Sequence, residues 1–62
     1  MTPHWTVHLF DAHGAYHRAL VQADHVAEAA DAGRHDAEMS DILSPVYGRA
    51  WDVIAVVSAG VV

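Results

Sequence analysis

The sequence predicts a small α+β domain in the order β-β-α-β, and three observations carry that reading. The first is the stretch from Trp5 to Val21, WTVHLFDAHGAYHRALV, where two runs rich in β-branched and aromatic residues flank Asp11-Ala12-His13-Gly14. A short loop ending in Gly between two such runs signals a hairpin, because glycine takes up the left-handed conformation that closes a type I turn. The second is Asp24, a good helix N-cap, followed by the helix-compatible run HVAEAADAG. The third is WDVIAVV from Trp51, a nearly continuous β-branched run that reads as a third strand.

The register of the hairpin follows from its side chains. With Ala12-His13-Gly14 as a three-residue loop, Phe10 pairs with Tyr16, Leu9 with His17, His8 with Arg18, Val7 with Ala19, Thr6 with Leu20 and Trp5 with Val21. Side chains alternate between faces along a strand. One face then collects Trp5, Val7, Leu9, Ala19 and Val21, with His17 at its turn end; the other collects His4, Thr6, His8, Phe10, Tyr16, Arg18 and Leu20. The first face is cleanly apolar and is the expected core. A slip of one residue would mix the two sets, so the pattern selects this register.

In the helix, Val26, Ala30, Gly33 and Ala37 fall on one stripe. These are small residues, so the strands are expected to supply most of the core. Gly33 is expected to end or weaken the helix. Met39, Ile42 and Leu43 lie off the stripe, which suggests a break near His35–Asp36 and a second short turn before Ser44-Pro45. In the third strand, strict alternation places Trp51, Val53, Ala55 and Val57 on one face and Asp52, Ile54, Val56 and Ser58 on the other. The expected extents are a hairpin over 5–21, a helix over about 24–34, a loop over 36–49 and a strand over about 50–58, in a single domain covering 1–62. A right-handed crossover puts strand 3 beside strand 1 and antiparallel to it, in sheet order 2-1-3. One face of the sheet is then covered by the helix and the other is bare.

Bulk properties bound the function. A chain of 62 residues buries about 60% of its unfolded surface, and so small a core rarely supplies more than about 3–5 kcal/mol. There is no cysteine to staple it, and the composition is 53% hydrophobic. Self-association, with a dimer favoured, is the expected source of further stability. The net charge is −5 with only Arg18, Arg34 and Arg49 as cations, which argues against a phosphate-backbone partner. The start lacks the basic and long apolar regions of a signal peptide, and the apolar run from Val53 to Val62 is half the length of a membrane span. A cytoplasmic location is expected, in the host cytoplasm if the gene is phage-encoded.

Six histidines raise a metal-binding hypothesis, since His4/His8 and His13/His17 have the i,i+4 spacing that gathers ligands on a helix. In a strand that spacing separates them by about 13 Å. They therefore read first as polar surface and turn residues, with His17 placed to pair diagonally with Asp11; no metal ligand is assigned. Ser40, Ser44 and Ser58 have no motif context, and no Gly-rich loop opens a helix, so neither a catalytic residue nor a cofactor is expected. Trp5 and Trp51 read as core, with Tyr47, Arg49 and Trp51 forming a second candidate contact cluster of the residue types common at interface hot spots.

The hairpin WTVHLFDAHG followed by LVQADHVAEA loosely resembles many small accessory proteins of phages and mobile elements. The resemblance spans the first half and names no family. The reading reached is a non-enzymatic protein-interaction module that self-associates, of the kind a phage accessory or host-interaction protein would be. A structural assembly subunit and a histidine-based metal-binding protein are the alternatives. Its expected protein interface comprises Phe10, Tyr16, Arg18, Leu20, Tyr47, Arg49, Ile54 and Val56.

Overall fold

The computed structural model describes residues 2–40 and 50–61. Its elements are β1 (Pro3–Asp11), β2 (Tyr16–Gln22), α1 (Val26–Ser40) and β3 (Trp51–Val61). The three strands form one antiparallel sheet in the order β2-β1-β3, and α1 lies against all three. The fold is the α+β arrangement that the side-chain pattern predicts.

The hairpin has the expected register at every pair from Trp5↔Val21 to Phe10↔Tyr16. Its turn is held from one residue. The Asp11 backbone N–H donates to the Ala15 carbonyl at 3.0 Å, and the Gly14 N–H donates to the Asp11 carbonyl at 3.2 Å. The Asp11 side chain is buried, and its Oδ1 accepts from the N–H groups of His13 and Ala15 at 2.9 and 2.8 Å. Gly14 closes the turn with φ of +83°, in the left-handed region.

The core is built from Val7, Leu9 and Ala19 of the hairpin, Trp51 of β3, and Ala23, Ala29 and Ala37. Trp5, Ala15, Val21, Val53 and Val56 pack around it. The Trp5 indole N–H donates to the Ala23 carbonyl at 2.8 Å, tying the start of β1 to the segment that leaves β2. Both tryptophans therefore serve the core.

The helix departs from the sequence reading in three ways. It runs unbroken through Gly33 to Ser40. A Cβ at Gly33 would lie 2.5–2.8 Å from the Val7 side chain, so this glycine is a contact point with β1 and not a helix end. The buried stripe is Ala29, Gly33 and Ala37, whereas Val26 is exposed. Val26 and Ser40 sit at nearly the angle of Gly33 but at opposite ends of the helix, and both are exposed. The helix covers the sheet with its middle turns and overhangs it at each end. Finally, the first helical bond runs from Ala29 N–H to the His25 carbonyl, which moves the cap one residue past Asp24. Ile42 and Leu43 lie outside the described residues.

Strand β3 starts as expected but reaches Val61, and it carries two irregularities against β1, between His4 and Trp5 and between His8 and Leu9. The second one reassigns its faces. Leu9 pairs with Val53 while His8 pairs with Ala55, so Ile54 is an extra residue. Beyond it the alternation is inverted, and Val56 pairs with Val7 and packs on the core. Val56 was expected on the bare face; it lies on the helix side, and Ala55 and Val57 take the bare side in its place.

Candidate interaction surface

The face of the sheet opposite α1 has no cover among the described residues. Cross-strand pairing arranges its side chains in rows, because directly opposed residues project from the same face. From the turn end, the first row is Tyr16, Phe10 and Asp52; the second is Arg18, His8 and Ala55; the third is Leu20, Thr6 and Val57; the fourth is Gln22, His4 and Gly60. Ile54 stands between the first two rows, on the bulge. Leu20, Ile54, Val57 and Tyr16 are 69%, 57%, 51% and 51% exposed, and Phe10 is exposed at the margin of the same patch.

Aromatic contacts organise the turn end. Tyr16 and Phe10 lie with ring centroids 5.2 Å apart, and His8 stacks on Tyr16 at 5.9 Å. The His8 Nδ1 and the Tyr16 hydroxyl share a hydrogen bond of 2.5 Å. At the other end, Gln22 Nε2 and His4 Nε2 lie 2.9 Å apart across the strands. Two of the histidines are thus cross-strand partners that hold neighbouring side chains in place.

The structure brings together Phe10, Tyr16, Arg18, Leu20 and Ile54 of the expected interface. Val56 is on the other side of the sheet, and Tyr47 and Arg49 lie outside the described residues. Val57 joins the patch, and sequence reading missed it because a bulge inverts the alternation that strict pairing assumes.

His17 does not pair with Asp11. Its Nε2 lies 2.8 Å from Asp36 Oδ2 of α1, and its ring packs on Trp51 with centroids 5.7 Å apart. This clamp, on the helix side, joins β2 to the second half of α1. No three side chains of metal-binding type converge among the described residues, and no helix among them is long and apolar enough to cross a membrane.

Charge separates between the faces. The carboxylates of Asp24, Glu28, Asp31, Asp36 and Glu38 lie on α1 or just before it and are all exposed. Among the described residues, the bare face carries one carboxylate, Asp52, and one guanidinium, Arg18. No family model, no curated protein and no solved structure matches the chain.

Proposed function

We propose that this protein is a non-enzymatic interaction module that acts by binding protein through the bare face of its sheet, self-association included. One observation carries the reading: Leu20, Ile54, Val57, Tyr16 and Phe10 form a contiguous exposed apolar patch on the face of the sheet that, among the described residues, no helix covers. A sheet is stable as a layer when both apolar faces are covered, and monomers rarely expose large contiguous apolar patches without using them. Aromatic and arginine side chains, here Phe10, Tyr16 and Arg18, are the types enriched at interface hot spots. The cross-strand pairs His8–Tyr16 and His4–Gln22 limit side-chain freedom, which lowers the entropy lost on binding.

The test places a charge in the patch. Leu20→Glu and Ile54→Glu are each expected to abolish association in sedimentation velocity while leaving the melting temperature of the monomer within a few degrees. Association unchanged in both variants would refute the reading. Large open-ended assemblies of the parent chain, in place of a small discrete species, would favour a structural assembly subunit.

A further inference from the structure

We infer that the occupant of the bare face is a second copy of this chain, related by a two-fold axis parallel to β1, so that Arg18 of each copy meets the partner's Asp52. This rests on the reading of the face as a docking surface and adds its occupant and geometry.

Among the described residues the face bears one cation and one anion amid apolar groups, so it is near neutral and selects neither a strongly acidic nor a strongly basic partner. The net charge of −5 would oppose pairing of copies if it were spread evenly, but five exposed carboxylates sit with the helix on the far side of the sheet. The Cα envelope is 14 Å through its shortest dimension. In a face-to-face pair the two helices are therefore separated by more than the Debye length of about 8 Å at physiological salt, and their repulsion is screened.

Position then selects the symmetry. Arg18 is on edge strand β2 and Asp52 on the opposite edge, β3. They sit roughly 12 Å apart by strand and residue spacing, and the one ion pair among the described residues is His17–Asp36. Neither is paired with another described residue of its own copy. A two-fold axis along the strands lays β2 of one copy over β3 of the other. Arg18 then stands over the partner's Ala55, one row from the partner's Asp52 and within reach of a long side chain. Leu20 stands over the partner's Val57, and Phe10 over the partner's Phe10. An axis across the strands lays β2 over the partner's β2 instead. That draws the two guanidinium groups together and leaves each Asp52 at the far edge.

Area sets the strength. Three strands and four rows give a flat face of roughly 400 Å² per copy. Side-chain relief brings the accessible area buried by both copies to about 1,000 Å², the small end for specific interfaces. An interface of this size fits a reversible dimer rather than an obligate one.

The test is charge exchange in trans, read by sedimentation equilibrium from micromolar to millimolar chain. Arg18→Asp and Asp52→Arg each place like charges at both contacts and are expected to weaken the homodimer at least tenfold. An equimolar mixture of the two restores opposite charges at both contacts, and its heterodimer is expected to recover to within threefold of the parent. The double variant R18D/D52R is expected to dimerise like the parent, which also shows that either substitution is compatible with folding. Singles that leave the constant unchanged, or a mixture that fails to recover, would overturn this arrangement. In that case, loss of association in Leu20→Glu would still uphold the face as the docking surface. A parent chain that stays monomeric at millimolar concentration would overturn both.

Discussion

Gly33 sits where the helix presses on the sheet, and it decides how close the two layers come. A methyl group there would meet Cβ and both Cγ atoms of Val7 at 2.5–2.8 Å. Alanine is favoured over glycine in a helix by about 1 kcal/mol, whereas overpacking a core costs about 1–3 kcal/mol. The contact is to a fully buried, β-branched side chain in mid-strand, so the clash prevails. Gly33→Ala is expected to lower stability by about 1–2 kcal/mol, read as a lower urea midpoint with an unchanged slope. Val7→Ala in the same chain removes the two Cγ contacts but keeps the Cβ contact at 2.6 Å, so the double variant is expected to be less destabilised than the sum of the singles without full relief of the clash. Sequence alone marks Gly33 as a helix weakener, because propensity is local and the Val7 contact is not. Asp11 is a second such case: the sequence offers it as a diagonal partner of His17, whereas its side chain turns back on its own loop. Its Oδ1 caps two backbone N–H groups of the turn. Asp11→Ala is expected to cost about 2 kcal/mol and Asp11→Asn less, since the amide oxygen can still accept; thermal melts of both variants check this.

At the scale of elements, the hairpin was readable because it is local and its two faces differ sharply. Val7, Leu9 and Ala19 lie on one side, with Thr6, His8 and Arg18 on the other, and only one register keeps them apart. Strand β3 was readable as a strand but not by face. Its run VIAVV is apolar at every position, so periodicity gives no signal when Ile54 is inserted as a bulge. The bulge makes a sharp distinction between adjacent valines. Val56→Ala removes a side chain packed on the core and is expected to cost about 1–2 kcal/mol, while Val57→Ala and Ile54→Ala, both on exposed side chains, are expected to stay within about 0.5 kcal/mol. Equal costs at Val56 and Val57 in denaturant titrations would contradict the bulged register. The clamp from His17 to Asp36 crosses between elements that are distant in the chain, and no spacing rule points to it. Asp36 is largely exposed, so Asp36→Asn is expected to change stability by less than about 1 kcal/mol.

The whole molecule is a two-layer domain with one apolar face too many. Its helix supplies small residues, Ala29, Gly33 and Ala37, which allow close approach but contribute little buried area. The strands fill the core, and their other face is left with Leu20, Ile54, Val57, Tyr16 and Phe10 in the open. Association through that face links stability to concentration: the melting temperature of the parent chain is expected to rise with protein concentration across the dissociation constant, and that of Leu20→Glu to stay flat. The bare face was legible from the pattern of the hairpin, whereas its exact membership was not, because the bulge is a property of the β1–β3 pairing. The most direct test is a concentration series of backbone amide NMR spectra from about 5 μM to 1 mM. Binding through the bare face is expected to move the resonances of Phe10, Tyr16, Arg18, Leu20, Ile54 and Val57 together along one saturating curve, with Glu28, Asp31 and Glu38 on the helix unmoved. Shifts centred on the helix, or none across the range, would contradict it.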